Sequence, residues 1–311
     1  MRLTVAICTW NRCDLLAKTL HAMQSLQPPK DCEWNVLVVD NNSTDKTAEV
    51  VEDFREKLPI SYILERKQGL SNARNAAIEH SDCDCDYIVW TDDDVIVDPA
   101  WLRHYSEAFR RWPNGVVFGG KVLPWYEVTP PRWVKDNMQT LASSFALRDL
   151  GDEERALAGN EYPFGANMAF RRDAFDDLRF DPDLGRKEKS LVGGEEVQAI
   201  NKLRSNGADV VWVPACSVEH YLPKSRMTLR WVRAYFAGQG YTSDLARRAG
   251  AKTLFGMERW RLRVFLVQTA RWMGQRLAGK ASPIWLASML QASKTLGILK
   301  RQRADAQLKP K

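Results

Sequence analysis

Three adjacent carboxylates, Asp92-Asp93-Asp94, follow directly on the apolar run Tyr87-Ile88-Val89-Trp90. A short apolar run of this kind reads as a buried strand, so the carboxylates stand at its exposed lip, and alternation sends Asp92 and Asp94 to one side. Like charges this close repel unless a cation joins them, and hard oxygen ligands suit Mg²⁺ or Mn²⁺. The same triple would also serve as a solvated acidic turn that caps the helix starting near Pro99. Asp40 closes a second run, Val36-Leu37-Val38-Val39. A carboxylate there can accept hydrogen bonds from a ribose or a base N–H, or cap the helix that follows.

Two further clusters combine useful groups. Gln68-Gly69-Leu70-Ser71-Asn72-Ala73-Arg74 sets a turn glycine, a helix start and a guanidinium together, the parts of a diphosphate site and equally of an ordinary serine cap with a surface arginine. Gly193-Gly194-Glu195-Glu196 opens a helix. The helix dipole favours acids at that position in any case, and an ionised one within reach of a hydroxyl can act as general base. His220 lies beyond the last predicted strand and can complete a metal shell, hold a diphosphate, or be structural.

The elements that must position these groups alternate. Strands are predicted at 3–8, 35–40, 60–64, 87–91 and 116–122, with helices at 14–26, from Ser43 or Thr44 to about Leu58, 71–79 and 99–112. That order is the form of βαβ units around a parallel sheet, and ligands bind outside the carboxyl ends of such strands. Thr9-Trp10-Asn11-Arg12, Asp40-Asn41-Asn42 and Asp92-Asp93-Asp94 are three such ends and suggest one site. Periodicity weakens over 124–163, which reads as a mobile loop or small helical excursion suited to acceptor specificity. A strand at 164–171, a helix at 195–205 and a last strand at 209–213 follow, then amphipathic helices at 226–248 and 257–300. No internal repeat is present.

With 311 residues and 45% hydrophobic content the chain can bury a large core. The formal charge of +6 is uneven: from Leu254 onward there are 12 Lys+Arg against 2 Asp+Glu, so the tail is +10 and the rest −4. A basic tail carrying Trp260, Phe265, Trp272 and Trp285 among its arginines fits an anionic membrane surface better than nucleic acid, which residues 1–253 would repel. The alternative is that these helices pack on the rest of the protein with their Arg heads in water. Six cysteines without regular spacing suggest reduced thiols in a cytoplasmic compartment, and Cys83 and Cys85 alone make a poor zinc site. The longest uncharged run, 281–293, is too short to span a membrane, and the N-terminal run reads as a strand, not a signal peptide.

In order, TWNR at 9–12, VVDNNSTD at 38–45, QGLSNARN at 68–75, TDDD at 91–94, GANMAFRR at 165–172, GGEE at 193–196 and VEHY at 218–221 resemble the family 2 glycosyltransferases over roughly residues 1–225. The resemblance implies an α/β chain of GT-A fold, a mixed, mostly parallel sheet flanked by helices. It would comprise a catalytic domain at 1–225, with a nucleotide-binding half (1–123) and an acceptor-binding half (124–225), and a basic helical extension at 226–311. It implies inversion at the anomeric carbon, a nucleotide diphosphate sugar donor with UDP favoured, and a saccharide or lipid-linked saccharide acceptor of cell-surface polysaccharide synthesis. By position, Thr9, Asn11, Arg12 and Asp40 correspond to the nucleoside pocket, Arg74 to a diphosphate contact, and Asp92 with Asp93 to the donor side. Asp94, Asp92 and His220 would hold Mn²⁺ or Mg²⁺. The family's Glu-Asp pair is Glu195-Glu196 here, with Glu196 at the usual base position and Glu195 the second candidate. Other classes fit less well. A sugar nucleotidyltransferase needs a longer Gly-rich loop than TWNR, a non-catalytic nucleotide-sugar binder would tolerate loss of the acidic pair, a dehydrogenase would show G-x-G-x-x-G, and a retaining glycosidase two opposed carboxylates.

Overall fold

In the first strand, β1 (Arg2–Thr9), Leu3, Val5 and Ile7 face one buried layer and Ala6 the opposite one. A strand covered on both faces belongs in the middle of a sheet flanked by helices. The structure is a computed structural model that describes all residues except 83, 185–193, 244–249 and 309–311. After β1 come α1 (Cys13–Met23), β2 (Glu33–Asp40), α2 (Thr47–Asp53), β3 (Ile60–Leu64), α3 (Leu70–His80), β4 (Tyr87–Asp92), β5 (Val95–Val97), α4 (Trp101–Arg111) and β6 (Gly115–Tyr126). Then follow α5 (Arg132–Lys135), α6 (Met138–Leu141), β7 (Arg155–Ala156), β8 (Asn167–Arg171), α7 (Glu195–Ser205) and β9 (Asp209–Leu222). The last elements are α8 (Leu229–Thr242), the short strands β10 (Thr253–Leu254) and β11 (Met257–Glu258), α9 (Arg259–Leu277) and α10 (Ser282–Leu308).

The main sheet runs β3-β2-β1-β4-β8-β6-β9-β5, with β7 beside β9. It is parallel from β3 through β4, and antiparallel where β8 meets β4 and β6 and where β5 and β7 meet β9. One face packs Leu16 and Leu20 of α1 and Trp101, Tyr105 and Phe109 of α4. The other packs Ala73, Ala76, Ala77 and Ile78 of α3, whose small side chains let that helix lie close to Ala6. The expected α/β mixed sheet with C-terminal helices is present.

Three features differ from expectation, the first being the short strand β5, which is not among the predicted elements. The strand expected to end at Val213 continues to Leu222, because after Pro214 the buried positions Cys216, Val218, His220 and Leu222 keep the two-residue period. His220 therefore sits in a strand, not beyond one. The 257–300 helix is instead a hairpin followed by two helices, broken where Gly279 takes a left-handed φ of 65°.

The chain divides into two compact units, Met1–Trp125 with Ala146–Tyr221, and Tyr126–Phe145 with Leu222–Lys311. In the second, α10 packs on α8 and α9. A Cβ on Gly240 would meet Lys294 O at 1.9 Å, and one on Gly297 would meet Ala237 O at 1.9 Å, so glycine sets the close approach of α8 and α10. Among the described residues no helix is long and apolar enough to cross a membrane.

Asn167 ties the antiparallel half of the first unit together. Its Oδ1 accepts from Trp101 Nε1 (2.9 Å) and Tyr105 OH (2.8 Å), and its Nδ2 donates to the carbonyls of Lys121 (2.9 Å) and Cys216 (2.8 Å). A fully buried amide with every bond made is costly to replace. Asn167→Leu keeps the branched shape at a larger volume and removes all four bonds, and is expected to lower the free energy of unfolding by about 3 kcal/mol or more. Urea unfolding checks this, and a loss below about 1 kcal/mol would contradict the role assigned to Asn167.

Candidate functional site

Strand register assembles the site. Thr9 pairs with Asp40 across β1–β2, and Cys8 with Asp92 across β1–β4, so acids from both neighbours flank the carboxyl end of β1. The chain then turns through Asp93 and Asp94 into β5, where Val95 lies opposite His220 of β9. Tyr221 N donates to Asp94 O at 2.8 Å and fixes that turn against β9. One ligand atom from each of Asp92, Asp94 and His220 falls within 4.8 Å of the others, and His220 Nε2 is 3.3 Å from Asp94 Oδ1. Two carboxylates and an imidazole form a donor set that fits a divalent cation, and the nitrogen suits Mn²⁺ better than Mg²⁺.

Asp93 points the other way. Its Oδ2 accepts from Thr9 Oγ1 (2.8 Å), and its Oδ1 accepts from Arg12 Nη1 (2.9 Å), which also reaches Asp94 Oδ2 (2.9 Å). Burial pushes the Asp93 carboxyl up to about 7, against the pull of Arg12. Thr9 and Arg12, expected in the nucleoside pocket, thus donate to the acidic turn, where Asp93 accepts from both.

On the other flank, Asp40 is buried, with Ser43 N on Oδ1 and Tyr62 OH on Oδ2, each at 2.8 Å. Asn11 and Asn42 hold left-handed φ values of 51° and 67°, conformations that asparagine tolerates better than most residues and that concentrate at functional sites. Asn11 Oδ1 accepts from Thr44 N at 2.7 Å, which ties the ends of β1 and β2 together. The Asn41 side chain donates to Lys67 O (2.7 Å) and accepts from Gly69 N (2.8 Å), so the end of β2 anchors the loop before α3.

Arg74 is buried on α3. Its Nη1 lies 2.9 Å from Glu195 Oε1 and 3.8 Å from Glu196 Oε2, and its guanidinium lies over the rings of Trp90 (5.9 Å) and Phe180 (5.4 Å). A Cβ on Gly165 would come within 2.1 Å of Arg74 Nη2, so a side chain there would have to displace the guanidinium from its place. The arginine expected at the diphosphate is therefore directed at the acidic pair of α7. Glu195 carries the ion pair, with a side chain 3% exposed, whereas that of Glu196 is 20% exposed. Among the described residues, Oε2 of each glutamate is buried without a hydrogen-bond partner. Burial first and Glu195 second raise the Glu196 carboxyl to about 6. The two acidic groups share surroundings: Cys8, whose thiol burial pushes up to about 12, feels Asp92, Asp93 and Glu195 together.

Spacing in the sequence marks neither Tyr62 nor Trp125, and it marks Gly165 only as the start of a motif, not as the neighbour of Arg74. Trp125 packs edge-on against Tyr221 at 5.0 Å and carries Lys18 Nζ 5.5 Å from its ring centre. Tyr62 is revealed by the pairing of β2 with β3, and the other two by side-chain contacts in the folded chain. Cys83 lies outside the described residues, and the five described cysteines are free.

The glycosyl transferase family 2 model matches residues 4–179. The chain is 27% identical over 115 residues to the poly-beta-1,6-N-acetyl-D-glucosamine synthase of Staphylococcus epidermidis, covering 36% of this chain and 27% of that protein. It is 28% identical over 141 residues to the poly(ribitol-phosphate) beta-N-acetylglucosaminyltransferase TarS of Staphylococcus aureus, covering 42% and 24%. The chain thus spans about a quarter of the length of these two relatives. Among solved structures, residues 1–349 of S. aureus TarS with UDP-GlcNAc align at a TM-score of 0.55 and 16% identity, over 98% of this chain and 92% of that one. The mannosyltransferase PcManGT of Pyrobaculum calidifontis, with GDP-Man and Mn²⁺, aligns at 0.61 and 19%, over 96% and 86%. At these identities the likeness establishes the fold, which is GT-A. With more than half of the chain matched by the family model on that fold, the protein belongs to glycosyl transferase family 2.

Proposed function

We propose that the protein is an inverting glycosyltransferase that moves a sugar from a nucleotide diphosphate donor, a UDP-sugar first, to a hydroxyl of a saccharide or lipid-linked saccharide. The observation that carries this reading is Arg74: one buried guanidinium pairs with Glu195, lies 3.8 Å from Glu196 and feels the charge of Asp92, which supports reading the acidic turn and the acidic pair as one site. The S. epidermidis relative is a polysaccharide synthase and TarS a poly(ribitol-phosphate) transferase, which supports a polymer acceptor and a role in cell-surface polysaccharide synthesis. Cytoplasmic location at the inner membrane face is part of the same proposal, in keeping with the free described cysteines and the basic tail.

Glu196 is the base. Its carboxylate accepts the proton of the acceptor hydroxyl as that oxygen attacks the anomeric carbon, and the bond from that carbon to the diphosphate breaks with its electrons leaving on the phosphate. Arg74 positions the pair: it neutralises Glu195, so the second negative charge on α7 stays with Glu196. A divalent cation bound by Asp92, Asp94 and His220 would supply charge stabilisation for the departing diphosphate. Arg12 and Thr9 hold the turn that presents Asp94, while Asp40, Asn11 and the loop behind them form the nucleoside side.

Three outcomes test this. Thermal shift with UDP-, GDP- and dTDP-sugars in Mn²⁺ is expected to reveal one donor that stabilises the protein; Asp94→Ala and His220→Ala should each abolish that shift. Stabilisation that survives both substitutions would remove the metal assignment. Glu196→Gln should retain donor binding and lower kcat by about 10²–10⁴, with Glu195→Gln distinguished from it by a loss of folding stability of about 3 kcal/mol from the uncompensated buried Arg74. The pH dependence has a fixed sign. The base must be ionised and its carboxyl sits near 6, so kcat/KM should rise tenfold per pH unit below about 6 and level off above it; a profile flat down to pH 5 would exclude Glu196.

A further inference from the structure

The hairpin of β10 and β11 turns through Phe255 and Gly256, both at left-handed φ (51° and 79°). Asn or Asp with Gly is the usual choice for such a turn, and a bulky aromatic there is both strained and, at 79% exposure, wetted. Leu254 beside it is exposed as well. The hairpin leads directly into α9, whose sequence contains no acidic residue. Along that helix Arg259, Arg263, Leu266, Ala270, Met273 and Leu277 recur every three or four residues and are all exposed, Leu266 at 64% and Leu277 at 88%. They form one stripe, cationic at its start and apolar after it. Arg271 and Arg276, also exposed, flank it, and the Arg276 guanidinium lies 5.7 Å over the Trp285 ring.

Glu258, the acid closest to this surface in sequence, is fully buried and paired with Arg261, and Gln302 Nε2 donates to it at 2.8 Å. The face of α10 that packs on α8 and α9 is buried through Leu286, Met289, Leu290 and Leu299, so the α9 stripe is not the core side of an amphipathic helix. It is an exposed apolar surface bordered by exposed arginines.

We infer that the Phe255 tip and the exposed stripe of α9 form a docking surface for an anionic lipid bilayer, on which the protein lies without crossing it. Apolar side chains entering the acyl boundary among arginines at the headgroups is how interfacial helices bind. A second copy of the chain fits the surface less well, because pairing α9 with itself brings arginines together with no acid in the helix to meet them. The inference deepens the proposed function and rests on it for one point: a lipid-linked acceptor is a substrate class that resides at such a bilayer.

The test is flotation of the full-length protein with vesicles of phosphatidylcholine alone and with 30% phosphatidylglycerol. The protein is expected to float with the anionic vesicles, weakly or not at all with the neutral ones, and less in high salt. The double variant Phe255→Ser/Leu277→Gln, and separately Arg263→Glu/Arg271→Glu, should each reduce bound protein at least tenfold with the unfolding temperature unchanged. Absence of the wild type from anionic vesicles, or full binding by both variants, overturns the inference, as does a wild type that is dimeric in solution and becomes monomeric in the double variant. Donor-dependent thermal stabilisation, read on the same samples, separates the two readings: flotation without donor binding defeats the proposed transferase, and donor binding without flotation defeats the docking surface.

Discussion

The cost of gathering acids at one end of a sheet governs this structure. Asp93, Asp94 and Glu195 are each at most 4% exposed, and Asp40 is buried on the far flank. Carboxylates in such positions are unfavourable unless paired and hydrogen-bonded. Two guanidiniums supply most of the compensation, and each is tied to a particular corner. Arg12 stands on the first turn out of β1 and serves Asp93 and Asp94. Arg74 stands inside α3 and serves Glu195, with Glu196 at longer range. Much else follows from housing these two: Gly165 has no side chain because Arg74 fills the space, and the aromatic pair Trp90 and Phe180 lines its planar faces. Asp93 spends its charge inward, on Arg12 and Thr9, and thereby leaves Asp92 and Asp94 to converge with His220.

The sequence marks the ends of strands better than it marks their partners. Apolar runs closed by Asp40 and by Asp92-Asp93-Asp94 are visible by composition, and both prove to be the sheet ends that flank β1. What Asp40 touches is not visible, since Tyr62 reaches it from β3 through a pairing that only the register sets. His220 shows the same limit. Pro214 gives the impression that the last strand stops, whereas the strand continues and the alternation of Cys216, Val218 and His220 determines which side the imidazole takes. Asn167 lies in a motif readable from the sequence, but its four bonds join residues 46 to 66 positions away, and nothing local announces them. The hairpin at Phe255 was hidden for the opposite reason. Helical periodicity on both sides masks two short strands, and an aromatic residue at the tip lacks the turn chemistry that would betray it.

The division of labour between the glutamates follows from a single helical step. Adjacent residues on a helix point about 100° apart, so one guanidinium approaching from α3 can form a short ion pair with only one of them. Arg74 takes Glu195, the more buried, where an unpaired charge would be most costly. Glu196 is left with the same negative neighbour and a more distant arginine, which, with burial, moves its carboxyl up toward neutrality. A carboxyl raised in this way is more basic than an ordinary one, which is what the base proposed at this position requires. An aspartate at 195 would have one carbon less with which to reach Arg74. Relative to the Glu-Asp pair of the family, Glu-Glu leaves residue 195 unchanged and lengthens the side chain at 196 by one methylene. The reach of residue 196 changes while the clamp on its neighbour does not.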